Sequence, residues 1–193
     1  MKRIVDLLLS IVGLIFLIPL IVVLSAIIIS IDGFPIIFKQ RRAGLKGEVF
    51  TLYKLRTMKP ILIGENDIQD KSRITKLGNF LRKSSLDEIP SILNVIRGEM
   101  SIVGPRPLLP EYLKLYSAEQ NRRHDVKPGI TGWTQINGRN TISWDKKFEY
   151  DIWYVENQSL ALDIKIIFLT IWKVLLQRDI NKSDEETMGT FEG

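Results

Sequence analysis

Residues 81–108 read LRKSSLDEIPSILNVIRGEMSIVGPRPL, and the interpretation of the whole chain starts from this stretch. Two adjacent carboxylates, Asp87 and Glu88, follow Arg82, and a further cation, Arg106, lies between two prolines. This combination suits phosphoryl chemistry. An aspartate can attack phosphorus and form an acyl phosphate, a neighbouring glutamate can take Mg²⁺ or a proton, and guanidinium groups can neutralise phosphate oxygens.

A structural interpretation of the same carboxylates is also open. Ser85 and Glu88 have the spacing of a capping box, which would satisfy free N–H groups at a helix start. Pro90 would then fall in the second turn, where its ring clashes with a backbone carbonyl. The proline fits better at the first position of a helix over residues 90–97 that ends at Gly98. The local pattern alone leaves catalysis and capping both open.

Composition bounds the class of protein. A chain of 193 residues predicts one domain with its own core. The net charge of +5 suits an anionic membrane surface or phosphate-bearing substrates, and it is too small to predict a nucleic-acid partner. With no cysteine, the chain forms no disulfide or thiolate metal site, and a single histidine, His124, excludes a zinc site built from histidines. A lone loop histidine is expected to be solvated.

The N-terminal region predicts a membrane anchor. Residues 7–31 carry no charge, and the run exceeds the roughly 20 apolar residues that a spanning helix needs. Pro19 lies at its middle and should break it into two arms of about 18 Å, each shorter than a hydrocarbon core of about 30 Å. Lysines and arginines flank both ends, which places both in the cytoplasm. We therefore favour a re-entrant helix-break-helix over residues 1–33, with a single spanning helix as the alternative.

An apolar, β-prone segment over residues 36–58 predicts a hairpin that turns at Gly44 and Gly47. Alternation along its second strand places Lys54 and Arg56 on one face, so that two cations can project together from a rigid element. A solvated edge strand is the alternative for these two cations.

Helices are predicted over residues 75–83, 110–122, 143–156 and 160–177. Residues 59–73 are polar and are expected to form a surface loop. Residues 127–140 are rich in glycine, so we expect a long irregular loop of the kind that often carries function. Arg139, near the end of this loop, can approach an anion closely or simply occupy a surface turn. Charges within the last helix favour a core or membrane-interface position over a second span.

These elements predict an α/β architecture, a mostly helical single domain with a small β-hairpin and a re-entrant N-terminal anchor. Residues 1–33 form the predicted anchor and residues 34–178 the cytoplasmic catalytic domain. Residues 179–193 are expected to form a mobile polar tail.

Several motifs, in this order along the chain, resemble those of the bacterial sugar transferases. They are KRIVDL followed by an apolar run, QRRAG, YKLRTM, SLDEIPSILNVIRGEMSIVGPRPLL, HDVKPGITGWTQINGRN and SWDKKFEYDIWYV. These transferases are the monotopic polyprenyl-phosphate phosphoglycosyl transferases, and the chain is most similar to their small, single-domain PglC type. The resemblance extends from Lys2 to about Leu176.

The resemblance implies an activity and a location. Such enzymes move a sugar phosphate from a UDP-sugar to undecaprenyl phosphate, release UMP and work with Mg²⁺. They lie on the cytoplasmic face of the bacterial inner membrane, in contact with its lipid through a re-entrant helix. The family commonly has Ser-Pro at the helix break, whereas this chain has Ile18-Pro19. A hydroxyl group that could partner the freed backbone groups is therefore missing here.

The resemblance also implies the site residues. Asp87 matches the nucleophile, and Glu88 matches its partner in the Asp-Glu pair that works with Mg²⁺, so these two are the predicted metal ligands. The remaining matches are predicted to bind substrate and phosphate. They are the active-site cations Lys54, Arg82 and Arg139, Arg106 in the Pro-Arg-Pro motif, and Asp163 in the last helical region.

Two other functions fit part of the sequence. A membrane-anchored module that binds anionic headgroups would explain the cations Lys54, Arg82 and Arg139, but not the carboxylates among them. A spanning phosphatase with an acyl-phosphate intermediate would explain the carboxylates, but it needs no lipid acceptor. The sequence leaves a homo-oligomer open and does not identify the sugar.

Overall fold

A computed structural model of the chain describes residues 1–60, 73–138, 142–176, 191 and 193. The α-helices are α1 (Lys2–Asp32), α2 (Lys76–Lys83), α3 (Ile92–Arg97), α4 (Ala118–Asn121), α5 (Trp133–Asn137), α6 (Trp144–Asn157) and α7 (Leu160–Leu175). The strands are β1 (Ile37–Ala43), β2 (Val49–Leu55), β3 (Ser101–Val103) and β4 (Gly129–Thr131). Short 3₁₀ helices cover Leu45–Gly47, Leu86–Ser91, Pro110–Lys114 and Arg122–Asp125. The prediction of a mostly helical single domain with a small β-hairpin is confirmed.

Strands β1 and β2 form the predicted antiparallel hairpin. Ile37 lies opposite Leu55 at the open end and Ala43 lies opposite Val49 at the turn. The turn itself contains Gly47 in the left-handed region, with φ of 78°, which glycine adopts without steric cost. The hairpin is the rigid element from which Lys54 projects.

Strands β3 and β4 form a parallel pair that the sequence did not predict. The prediction that residues 127–140 lack regular structure is wrong for β4 and α5. Two glycines permit the close approach of the chains, because a Cβ atom at Gly129 would lie 2.1 Å from Gly104 N. The partner strand is distant along the chain, so no local pattern could reveal the pairing.

The helix predicted over residues 110–122 is also wrong as a single element. The chain forms a 3₁₀ helix over Pro110–Lys114 and then starts again at α4. Ser117 accepts a hydrogen bond from Gln120 N at 3.1 Å, and the Gln120 side chain accepts one from Ser117 N at 2.9 Å. This capping box begins a new helix where the apolar pattern suggested continuation.

Helix α1 is long and apolar enough to cross a membrane. It is one helix with Pro19 in its interior, so the predicted break into two helices is not confirmed and stays a prediction. Only 11% of its most apolar window is buried, and side chains near its middle, such as Ile15 and Phe16, face outward. An apolar surface of this size is typical of contact with lipid or with another protein.

Both ends of α1 are bound to the same globular domain. Near its start, the buried carboxylate of Asp6 accepts hydrogen bonds from Ser101 Oγ at 2.9 Å and from Ile102 N at 3.1 Å. Just beyond its end, Arg56 Nη2 donates to the carbonyl oxygen of Gly33 at 2.7 Å. The side chain of Arg56 is therefore occupied with the backbone that leaves α1.

The buried core formed by the described residues has three parts. The first joins α1 to β2 and α2 through Leu24, Ile28, Leu55 and Leu81. The second joins β3 to the later helices through Val103, Ile136, Tyr154 and Ile166, and the third lies beneath the hairpin at Leu52, Val95 and Met100. The C-terminal half of α1 is thus part of the core, which fixes its position relative to the hairpin.

Phe191 is anchored near the C-terminus. Its ring lies 5.1 Å from the ring of Phe148 and 5.4 Å from that of Trp144, and its backbone N–H donates to Tyr112 Oη at 3.3 Å. The predicted mobile tail otherwise falls mostly outside the described residues.

Candidate active site

The two carboxylates lie in the 3₁₀ helix Leu86–Ser91, directly after α2. Ser85 has a left-handed backbone, with φ of 57°, and its side chain makes no capping hydrogen bond. The interpretation of Ser85 and Glu88 as a capping box is therefore wrong. Ser91 Oγ donates to the carbonyl oxygen of Glu88 at 2.5 Å, and it is the backbone of this tight turn that places both carboxylates.

Glu88 is held by two cations on one oxygen. Its Oε1 accepts hydrogen bonds from Lys54 Nζ at 2.7 Å and from Arg106 Nη2 at 2.8 Å. Burial disfavours the charged form, but the charges of Arg106 and Lys54 and their hydrogen bonds outweigh it. They hold the pKa of Glu88 well below its usual range. Glu88 is therefore a fixed anion that organises the cations around it.

Asp87 has a different environment, although it is the adjacent residue. The residue is buried, its Oδ2 lies 3.9 Å from Lys54 Nζ, and its carboxyl group accepts no hydrogen bond from the described residues. Burial raises the pKa of Asp87 above its ordinary value, and the charge of Lys54 is the largest effect that opposes this rise. Within the described part of the chain, no hydrogen-bond donor therefore occupies the oxygens of Asp87.

Lys54 and Arg56, which the alternation of β2 places on one face, have separate roles. Lys54 reaches the carboxylates, as predicted for a cation projecting from a rigid strand. Arg56 instead donates to the carbonyl oxygens of Gly33 and Phe34, each at 2.7 Å. Lys54 therefore contributes to the carboxylate site, whereas Arg56 binds the backbone at the end of α1.

Arg82 lies in α2, one turn before the carboxylates. Its Nε donates to Thr57 Oγ1 at 2.9 Å. Burial lowers the pKa of Arg82, and the charge of Asp87 acts in the opposite direction. Arg82 is thus close enough to influence Asp87 electrostatically, but the two form no ion pair.

A buried hydrogen-bond network holds the backbone of Arg106 in place. The carbonyl oxygen of Arg106 accepts a hydrogen bond from Arg123 Nη2 at 2.7 Å, and the same nitrogen lies 2.7 Å from Asp151 Oδ2. Thr134 Oγ1 donates to the other oxygen of Asp151 at 2.6 Å. The sequence reasoning missed Arg123 and Asp151, because their role depends on tertiary contacts rather than on a local motif.

Arg42 is a further pocket residue that the sequence reasoning missed. It lines an open pocket together with Lys54, Glu88 and Arg106. Residues directly opposite each other in an antiparallel pair share a face, and Arg42 lies opposite Phe50, four residue pairs from the pair of Phe38 with Lys54. The register of the predicted hairpin therefore places Arg42 on the same face as Lys54.

Asp163 is not brought to the carboxylate pair. Its Oδ2 lies 2.5 Å from Lys2 Nζ, and its Oδ1 accepts a hydrogen bond from Tyr154 Oη at 2.6 Å. The same lysine donates to the carbonyl oxygen of Val103 at 3.0 Å. Asp163 thus joins α7 to the start of α1, and its predicted role in substrate binding stays a prediction. The predicted cation Arg139 lies outside the described residues.

The carboxylate pair is suited to share a metal ion with a substrate. Among the described residues, no group of three or more His, Cys, Asp or Glu side chains could hold a metal. Mg²⁺ needs only one or two protein carboxylates where phosphates and waters complete its octahedron. Asp87 and Oε2 of Glu88 accept no hydrogen bond within the described part of the chain. Two adjacent oxygen ligands are therefore available.

Comparison with known proteins agrees with the motifs. A family model described as bacterial sugar transferase matches residues 1–177. The uncharacterized sugar transferase EpsL of Bacillus subtilis (strain 168) is 55% identical over 162 residues, which cover 83% of this chain and 80% of EpsL. The exopolysaccharide production protein ExoY of Sinorhizobium fredii is 40% identical over 195 residues, which cover 92% of this chain and 86% of ExoY.

A longer relative carries the name of a reaction. The UDP-glucose:undecaprenyl-phosphate glucose-1-phosphate transferase of Escherichia coli (strain K12) is 41% identical over 189 residues. The match covers 90% of this chain but only 40% of that protein. The shared segment therefore corresponds to one part of the longer protein.

Proposed function

The chain belongs to the bacterial sugar transferase family, and on that premise we propose that it moves a sugar-1-phosphate from a UDP-sugar to undecaprenyl phosphate. The products are UMP and an undecaprenyl-diphosphate-linked sugar, the first membrane-bound intermediate in the assembly of a glycoconjugate. The name of the Escherichia coli relative describes this reaction with glucose.

The observation that carries the proposal is the contrast between the two adjacent carboxylates. Glu88 is paired with Lys54 and Arg106, whereas Asp87 lies in the same cationic site and its oxygens accept no hydrogen bond from the described residues. Neighbouring acids whose environments push their pKa values apart are typical of sites that assign them different roles. We therefore assign nucleophilic attack to Asp87 and electrostatic organisation to Glu88.

The reaction proceeds in two displacements at one phosphorus atom. In the first, an oxygen of Asp87 attacks the phosphorus that carries the sugar, and the bond between this phosphorus and the oxygen that bridges to UMP breaks. UMP departs with the bonding electrons, and the sugar phosphate remains on Asp87 as an acyl phosphate. In the second, a phosphate oxygen of undecaprenyl phosphate attacks the same phosphorus, and the carboxylate of Asp87 is released.

The cations reduce the repulsion between a carboxylate and a diphosphate. Lys54 lies 2.7 Å from one carboxylate and 3.9 Å from the other, so its charge acts at the reacting group as well as at Glu88. Fixed positive charges stabilise the charge that develops on the phosphoryl oxygens. Mg²⁺, when bound by Asp87 and Glu88 together with the diphosphate, would supply further neutralisation of the leaving phosphate.

A monotopic position on the cytoplasmic face of the bacterial inner membrane fits this reaction. Because polar contacts bind both ends of α1 to one domain, a helix that enters the lipid would have to leave on the same side. Helix α7 adds exposed apolar side chains, including Phe168 at 67% and Trp172 at 53%. Such a helix suits the lipid headgroup boundary, where the site would meet the phosphate of its lipid acceptor.

The test uses the purified chain in detergent with Mg²⁺ and a panel of UDP-sugars labelled in the sugar, without lipid acceptor. We expect release of UMP in an amount equal to the enzyme, and a sugar-phosphate adduct on the peptide that contains Asp87. Addition of undecaprenyl phosphate should discharge the adduct into the lipid fraction. Asp87→Asn should form neither UMP nor adduct.

A preparation that turns over with lipid present, yet yields neither UMP nor adduct without it, would contradict the covalent intermediate. Such a result would indicate direct transfer within a ternary complex. Binding of anionic lipid without any turnover would instead favour the non-catalytic binding module.

A further inference from the structure

Among the described residues, no carboxylate forms an ion pair with the pocket cation Arg42. Its Nη2 donates to Gln40 Oε1 at 2.6 Å and its Nη1 to the carbonyl oxygen of Pro107 at 3.4 Å, both of which are uncharged acceptors. Its Nε is buried and has no hydrogen-bond partner in the described part of the chain. A buried polar group of this kind costs free energy unless something binds it.

The neighbours of Arg42 increase this cost. Burial and the nearby positive charge of Arg106 lower the pKa of Arg42 to about 10, and Tyr112, Glu88 and Glu111 oppose the shift without cancelling it. Glu88 Oε1 is already shared by Lys54 and Arg106. Three cations therefore line a pocket around one committed carboxylate. Such a pocket favours an anion.

We propose that Arg42 and Arg106 form a single phosphate subsite, which holds the leaving phosphate of UMP and later the phosphate of undecaprenyl phosphate. The inference rests on the proposed function, because it uses the geometry of two displacements at one phosphorus. In each displacement the attacking and leaving oxygens lie roughly in line. UMP leaves from the side opposite Asp87, and the lipid phosphate must attack from that same side. The two phosphates therefore occupy one place in turn.

Arginine suits this task better than lysine does. Its planar guanidinium group presents paired N–H donors that match two oxygens of a phosphate, and its weak hydration favours partly buried ion pairs. Arg42 and Arg106 come from different elements, the hairpin and the Pro-Arg-Pro segment, so a phosphate between them would be held from two directions. A phosphate held in this way would have its reacting oxygen in position before each displacement begins.

Binding measurements test the subsite without requiring catalysis. The wild-type chain, Arg42→Gln and Arg42→Lys are titrated with UMP in detergent by calorimetry, and Arg41→Gln serves as the matched control. Arg41 is the exposed neighbour on the same strand, and its side chain points to the opposite face. We expect the affinity for UMP to fall about 10- to 100-fold in Arg42→Gln, and less in Arg42→Lys. Arg41→Gln should retain wild-type affinity.

A competition experiment tests the shared use. A short-chain polyprenyl phosphate should displace UMP from the wild-type chain, and its own affinity should fall in Arg42→Gln by a similar factor. Simultaneous binding of UMP and the lipid phosphate, or a loss of affinity for only one of them, would overturn the single subsite. Unchanged affinity for both ligands in Arg42→Gln would overturn any role of Arg42 in binding.

Measurements of thermal unfolding and of activity distinguish a binding role of Arg42 from a structural one. Without ligand, Arg42→Gln should unfold at the same or a higher temperature than the wild type, because the change removes a buried group that lacks a partner, while the stabilisation by UMP should be lost. An unfolding temperature that falls while UMP still stabilises the variant would show a structural role and overturn the inference. If the wild-type chain transfers no sugar phosphate to undecaprenyl phosphate, the proposed function fails, but the UMP titrations still decide whether the subsite exists.

Discussion

Lys54 donates a hydrogen bond of 2.7 Å to Glu88 Oε1, which joins strand β2 to the turn after α2. The pair fixes the turn against the hairpin of β1 and β2. It also commits Glu88 to an ion pair, whereas its neighbour Asp87 accepts no hydrogen bond from the residues that the structure describes. The same contact thus stabilises the fold and gives the two adjacent carboxylates different environments.

The first prediction is that substitution of Asp87 lowers activity without lowering stability, whereas substitution of Glu88 lowers stability. Asp87→Asn should leave the free energy of unfolding at pH 7 unchanged or higher, because burial disfavours the ionised carboxyl group that the amide replaces. Turnover should fall by roughly four orders of magnitude. Glu88→Gln should lower the free energy of unfolding by about 2 kcal/mol, since two cations lose their counter-ion and Arg106 is half exposed.

Denaturant unfolding and steady-state turnover of both variants provide the check. A large loss of stability in Asp87→Asn would show that its carboxylate supports the fold. Equal stability of Glu88→Gln and the wild type would contradict the organising role of Glu88.

A second prediction concerns Asp163, which the structure pairs with Lys2 rather than with the site. Lys2→Met and Asp163→Asn should each lower the free energy of unfolding, because each change leaves the other charged residue without its counter-ion. The double variant should be less destabilised than the sum of the single changes. A double-mutant cycle of unfolding free energies measures this coupling.

Kinetics distinguish the alternative role of Asp163. A direct contact with substrate would raise KM in Asp163→Asn while the free energy of unfolding stayed at the wild-type value. If Asp163 has a structural role, KM and the free energy of unfolding should both change in Asp163→Asn. Lys2→Met should then show the same two changes.

The sequence allowed a good prediction where a signal is local. The hairpin followed from β-prone residues around Gly44 and Gly47, and the end of α3 from Gly98. The predicted start of that helix at Pro90 is wrong, because Pro90 lies inside the 3₁₀ helix that carries Asp87 and Glu88 and α3 begins at Ile92. Local patterns failed for strands β3 and β4, whose partners lie far apart in the chain. The parallel pair depends on the missing side chains of Gly104 and Gly129, and glycine by itself indicates only a turn or a close approach.

The site shows the same limit. Motif matching found Asp87, Glu88, Lys54 and Arg106, and the structure brings these four together. It did not find Arg42, although the hairpin register contains that information. The ion pair of Asp163 with Lys2 could not be predicted, because it depends on how the start of α1 packs against α7.

The third prediction concerns His124, which was expected to be solvated and is instead buried. Its Nδ1 donates to the carbonyl oxygen of Gly44 at 2.9 Å, and burial lowers its pKa from 6.5 to about 4. Between these values the unfolded chain takes up a proton that the folded chain does not. The free energy of unfolding should therefore fall by about 3 kcal/mol as the pH decreases from 6.5 to 4.

Denaturant unfolding at several pH values between 7 and 4 tests this contribution. In His124→Gln the amide can still donate to Gly44, but the residue no longer titrates, so the dependence over this range should be much weaker. The same pH dependence in the variant and the wild type would assign the effect to other groups.

The last prediction is that Met1 lies on the same side of the membrane as the globular domain. The polar contacts of Asp6 with Ser101 and Ile102 hold the start of α1 on that domain. The chain has no cysteine, so a single cysteine inserted after Met1 can be labelled selectively. A membrane-impermeant maleimide should reach it only after the inner membrane of spheroplasts is permeabilised. Lys114→Cys, at an exposed position of the domain, is the control and should behave identically.

Labelling of the inserted cysteine in intact spheroplasts, with Lys114→Cys protected, would establish a spanning helix instead. Pro19→Leu should favour that spanning state, since the proline no longer interrupts the backbone hydrogen bonds at the middle of the apolar run.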